Sequence, residues 1–168
     1  GEEIEVFKKN TNKNLSCEVC PHHLYFSMDD MRDSFLKMNP PLRHSEDLRA
    51  LWEALRDGTV SCLATDHAPH TIEEKMSDIM TAPAGVPGVE FLLPLMLNEV
   101  NENMLTLERV VELTSESPAK IFSLKGKGSL EIDADADLIL VDLRIEKRID
   151  REMVESKCAW SRYEGYKL

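Results

Sequence analysis

The chain has 168 residues, of which 42% are hydrophobic and 30% charged, enough for one domain with a real core. Its formal net charge of −11 argues against nucleic acid and anionic membrane as partners, since both repel an acidic protein over a Debye length of ~8–10 Å. No stretch is apolar enough to span a bilayer or to read as a secretory leader, so a cytoplasmic setting with reduced thiols is expected for Cys17, Cys20, Cys62 and Cys158.

Glu2 to Lys9 reads as the end of a helix, with Ile4, Val6 and Phe7 as its apolar members. Leu15 to Val19 reads as a short strand, and Pro21-His22-His23-Leu24 follows at its C-terminal end. Cys17 and Cys20 have the C-x-x-C spacing, but no second pair completes a zinc knuckle, so strand placement on alternating sides is the expected account. Met28 to Leu36 is expected to form a short helix introduced by Ser27. Asn39-Pro40-Pro41-Leu42-Arg43 is a stiff extended loop, because paired prolines exclude helix. Ser45 is expected to cap a helix over 46–56, with Leu48, Leu51, Trp52 and Leu55 as its stripe and Asp57-Gly58 as its end.

Thr59 to Thr65 is an apolar, β-prone run that leads into Asp66-His67-Ala68-Pro69-His70. One carboxylate and two imidazoles within five residues, at the end of a strand, are donors of the kind zinc takes. Pro69 stiffens the turn, so these side chains leave it in defined directions. A plainer reading makes His70 a cap for the segment running into Thr71-Ile72-Glu73-Glu74-Lys75; the second histidine, the proline and the preceding strand favour the functional one. Met76 to Gly88 is a long loop, as lids and binding loops are. Helices are expected over 89–99, from Thr106 onward, and over 118–122. Ala134 to Asp142 and the residues around Cys158-Ala159-Trp160 read as strands.

Several motifs in order carry a resemblance: Cys17 to Leu24, Asn39 to Arg43, Asp66 to His70 followed by Glu74-Lys75, Ala84 to Glu90, Pro118 to Phe122, and Ala136 to Leu138. Each is weak alone, but the ordered set covers nearly the whole chain. It resembles the C-terminal part of the dihydroorotases, in the cyclic-amidohydrolase branch of the amidohydrolase superfamily.

The resemblance implies an α/β fold: the C-terminal portion of a (β/α)8 TIM-type barrel, with about its last two strands and their helices, over residues 1–125. Residues 126–168 would be part of a small composite β domain. It implies one or two zinc ions and the interconversion of N-carbamoyl-aspartate and dihydroorotate in pyrimidine synthesis. Asp66 would be both metal ligand and general acid/base. Asn39 and His70 would contact the substrate, and the backbone at Ala84 and Gly85 would close over it. His22 and His23 would line the site and orient neighbouring carboxylates rather than bind zinc.

The family's remaining metal ligands, an H-x-H pair, a bridging carboxylated lysine or aspartate and two further histidines, have no counterpart here. One carboxylate cannot hold catalytic zinc, which normally has three protein ligands and an open position. The chain alone is therefore expected to be an inactive fragment, needing an N-terminal part of the same enzyme; self-association or aspartate transcarbamoylase are further partners. Two alternatives stand beside this reading. One is a hydantoinase, dihydropyrimidinase or allantoinase, against which His70 argues as a donor to a substrate carboxylate. The other is a non-catalytic dihydroorotase-like scaffold of aspartate transcarbamoylase.

Overall fold

The computed structural model describes residues 2–10 and 14–168. Helix α1 (Glu2–Lys9) is followed by strand β1 (Glu18–Val19), helix α2 (Pro21–Tyr25) and helix α3 (Ser45–Arg56). Strand β2 (Cys62–Leu63) then leads to helices α4 (Ile72–Lys75), α5 (Leu92–Asn101), α6 (Leu107–Val111) and α7 (Ser117–Ile121). β1 and β2 pair in parallel, Glu18 opposite Cys62 and Val19 opposite Leu63. Each strand is shorter than its apolar run, but hydrogen bonds continue past the ladder: Ser61 N donates to Cys17 O at 2.7 Å and Ala64 N to Val19 O at 3.1 Å. A parallel pair needs a crossover, and α2 and α3 supply it. The parallel pair and its helices have the order and pairing of a piece of a β/α barrel.

α3 forms as its stripe predicts: Leu55 is fully buried, and Leu51 and Trp52 pack on the core. Its cap differs. Ser45 is the first helical residue and His44 the cap, whose carbonyl accepts from Asp47 N at 2.9 Å. The expected helix at 28–36 is instead two 3₁₀ turns, Met28–Asp30 and Ser34–Leu36. Ser27 and Asp33 each bond backbone amides just beyond them, and such local bonds compete with a continuous helix. α5 begins at Leu92 rather than at 89, and ahead of it the amides of Gly88 and Val89 donate to His67 Nδ1 at 3.1 and 3.3 Å. The helices expected from Thr106 and over 118–122 are one, joined by a π-helical turn, Glu112–Glu116, just ahead of Pro118.

Arg109 ties this long helix to the end of α3 and to the segment that leads into β2. Its guanidinium donates to Leu55 O at 2.8 Å and Val60 O at 2.5 Å, and pairs with Glu112 at 2.6 Å. One hydrophobic cluster includes Leu55, Val60, Leu95 and Leu113 together with Ile149, Trp160 and Tyr163, so the C-terminal residues share the core. The two C-terminal strands expected from the pattern have no ladder. Residues 134–142 run without one, with Leu138, Ile139 and Leu140 exposed. Around Cys158 the alternation holds, since Cys158 and Trp160 are buried and Ala159 exposed, but Ala159 has φ 55° and breaks the extended backbone. The cysteines are all free thiols. Among the described residues no helix is long and apolar enough to cross a membrane.

Candidate active site

Because β1 and β2 are parallel, Cys20 to His23 and Asp66 emerge at the same edge of the pair. That C-terminal edge is where β/α barrels collect their reactive side chains. Asp66 is exposed and holds a left-handed backbone with φ 44°. Aspartate tolerates that region better than most residues, yet it costs on the order of 1–3 kcal/mol and must be imposed by the surroundings. The turn aims Asp66 into a cleft of about 520 Å³ that is also lined by Cys20, His23, Pro40, Pro41 and Arg43.

His23 is held by Pro40, whose carbonyl accepts from Nε2 at 3.1 Å, so Nε2 carries the proton. Burial lowers its basicity, opposed by the Pro40 carbonyl and the Asp66 carboxylate. The neighbouring His22 ring lies 4.3 Å from it, centroid to centroid. His22 is 2% exposed and its Nδ1 has no hydrogen-bond partner. Burial, with a smaller contribution from His23, takes its pKa down to about 3, so it is neutral. Consecutive helical side chains diverge by about 100°, which is why His23 reaches the cleft and His22 turns inward. Cys20 is pushed up to about 12 by burial and then by Asp66, so it is a thiol and not a thiolate.

A second cluster follows Asp66 along the chain. His70 Nε2 donates to Ala84 O at 3.2 Å, and its Nδ1 lies 3.8 Å from the Glu74 carboxylate. Ala68 N donates to Val86 O at 3.0 Å, and Gly85 N to Lys37 O at 2.8 Å. Gly85 has φ 112°, and a Cβ there would come within 2.5 Å of the Ala68 methyl. Only glycine permits the loop to lie this close to the Asp66–His70 turn.

The expected site residues thus fall into two linked groups. Asp66 and His23 share the cleft, whereas His70, Ala84 and Gly85 meet in the loop cluster. Asn39 is exposed and stands one residue before Pro40, on which His23 is hung. His22 lies in the interior. Three contributors take roles that the sequence reading does not assign them: His67, which accepts the Gly88 and Val89 amides; Trp160, whose Nε1 donates to His70 O at 2.8 Å; and Lys75, buried beneath the loop. Lys75 has a local signal in the Thr71-x-x-Glu74 capping box that places it one turn into α4, and His67 stands within the Asp66–His70 motif, which offers it as a metal donor rather than as an acceptor of amides. Among the described residues no three His, Cys, Asp or Glu side chains come together to hold a metal ion, so these residues alone do not fit zinc.

A parallel strand pair whose C-terminal edge presents an acid in a strained turn is the geometry of barrel enzymes. Residues 3–164 match the amidohydrolase family, and the chain belongs to it. It is 48% identical over 162 residues to a dihydroorotase of Methanosarcina mazei, covering 94% of this chain and 36% of that protein. It is 46% identical over 153 residues to the Halobacterium salinarum dihydroorotase, covering 90% and 36% of the two chains. Among solved structures, the L-hydantoinase (dihydropyrimidinase) of Arthrobacter aurescens matches 99% of this chain and 39% of its own, at TM-score 0.92 and 34% identity. A D-hydantoinase matches 90% of this chain and 35% of its own, at TM-score 0.82 and 32% identity. The chain therefore spans a little over a third of the length of these relatives.

Proposed function

We propose that this chain is the C-terminal part of a dihydroorotase, which interconverts N-carbamoyl-L-aspartate and (S)-dihydroorotate in pyrimidine synthesis. The observation that carries the reading is the 48% identity to a dihydroorotase over nearly the whole chain, against 34% to the L-hydantoinase. In ring opening, Asp66 takes a proton from the attacking water and returns it to the ring nitrogen that leaves; ring closure runs the same transfers backwards. A carboxylate at an open cleft edge suits both, because it must reach two partners in turn. Asn39 offers an amide fork to the ring. With Nε2–H on the Ala84 carbonyl, His70 offers Nδ1–H to the substrate carboxylate, which neutral hydantoins lack, as the doubly protonated imidazolium. The Ala84-Gly85 backbone closes over the ring.

Asp66 would supply one ligand to a zinc site, the others coming from the rest of an enzyme of its relatives' length. Zinc bound there would furnish a water acidic enough to attack at neutral pH. The complete enzyme is then a cytoplasmic one with a small-molecule substrate. The test is turnover by the complete enzyme of dihydroorotate, hydantoin and dihydrouracil side by side. Preference for dihydroorotate supports the reading; faster opening of unsubstituted hydantoin gives the hydantoinase assignment its place.

A further inference from the structure

Among the described residues, Lys75 is the one lysine, arginine or carboxylate side chain that is fully buried. Burying an ammonium is costly, and a methionine would fill the same space without that cost. Something must therefore use its donors. Nζ donates to Pro83 O at 2.9 Å and to Gly85 O at 3.0 Å, and stands 6.0 Å from the centre of the Trp160 ring. The face of an indole attracts a cation at that range. His70 holds Ala84 O, which lies between the two carbonyls that Lys75 holds. Three consecutive carbonyls are thus fixed by two side chains, one from each end of the short segment 70–75. The framework beneath is itself braced: Trp160 Nε1 donates to His70 O, Ser34 Oγ donates to Lys75 O, and Phe35 meets the Trp160 ring edge-on at 5.0 Å.

We propose that Lys75 is a positioning residue: from inside the fold, its amine sets the height of the Pro83–Gly85 backbone above the Asp66–His70 turn, and with it the shape of the pocket that receives the cyclic amide. The inference rests on the proposed role of Ala84 and Gly85 in closing over the substrate. Burial, and after it the Lys37 charge, lower the pKa of the amine to about 8, with Asp33 opposing the shift and Arg162 adding to it. Neither of its acceptors is a carboxylate, so its work is directed at the backbone.

The test uses the complete enzyme with Lys75→Met, which keeps the length and loses the donors, and Lys75→Gln, which keeps one amide donor group. Lys75→Met should raise KM about tenfold or more with kcat within about threefold, and bound metal should be unchanged. Lys75→Gln should fall between the two. Hydrogen exchange at the Gly85 amide, now held by Lys37 O, should quicken in the same order. A folded Lys75→Met enzyme with KM within about twofold of the unmodified one overturns the proposal, as does a loss of kcat alone. Should Lys75→Met fail to fold, Lys75→Gln is judged by the same split. The substrate choice of the unmodified enzyme judges the dihydroorotate reading separately, because the KM ratio is measured on whichever cyclic amide that enzyme opens.

Discussion

The loop at 83–88 and the segment at 129–142 are both poor in regular structure, yet they differ in every other respect. In the first, Val86 is fully buried, and Lys75, His70, Lys37 and His67 hold its backbone at successive residues. In the second, Leu130 and Ile132 are 89% and 95% exposed, Leu140 fully so, and Lys127 pairing with Asp135 and Asp137 is its chief tether. Absence of helix or strand therefore says little about order. What separates the two is whether side chains from elsewhere answer the backbone's donors and acceptors.

Substitutions should deepen or erase that contrast. The largest effect is expected at Asp66: in the complete enzyme, Asp66→Asn should lower turnover by about 10²–10⁴-fold with the fold retained, checked by steady-state kinetics and circular dichroism. Near-normal turnover would remove Asp66 from proton transfer. Acid comes next. The folded protein holds His22 near pKa 3 against 6.5 for a free histidine. The unfolded chain therefore takes up a proton first, so the stability that neutral His22 contributes is complete above 6.5 and drains away as pH falls towards 3. The slope should be at most ~1.4 kcal/mol per pH unit, and His22→Phe should flatten it in urea titrations run across that range.

Gly85→Ala should cost roughly 1–3 kcal/mol in thermal unfolding from its left-handed backbone, with more added by the clash at Ala68, and should raise KM. Trp160→Phe leaves the His70 carbonyl without its donor and should cost about 1–2 kcal/mol, accompanied by easier proteolysis within 76–88. The smallest change is expected across the other region: Leu140→Ser in this chain should fall within about 0.5 kcal/mol of zero. A large loss there would show that 134–142 is packed in solution and would end the contrast.

What the sequence disclosed follows the same division. Leu51, Trp52 and Leu55 declared α3 because helical spacing is a local property, and Asp66 was legible because its motif and the strand before it are contiguous. The 134–142 pattern was read as a strand from alternation and composition. A strand exists only with a neighbour, and among the described residues none pairs with it. The role of His67 was hidden in plain sight, since the same imidazole can serve a metal, a substrate or two amides 21 and 22 residues away. Trp160 lies 90 residues from the carbonyl it holds, and no periodicity reports such a pairing.

The π-helical turn at Glu112–Glu116 has a consequence for how the chain tolerates changes in length. Such a turn holds one residue more than the surrounding helix, so everything after it is rotated by about 100° relative to an unbroken spiral. Ala119, buried at 7% exposure, faces inward only by virtue of that offset. Removing a single residue between 112 and 116 would restore a smooth helix with Ala119 still facing inward, because one residue fewer at about 100° each spans the same rotation as the bulged turn. A one-residue deletion in this turn would therefore leave the same side of the helix wet, whereas the same deletion in the regular turns on either side would rotate every following residue by about 100°.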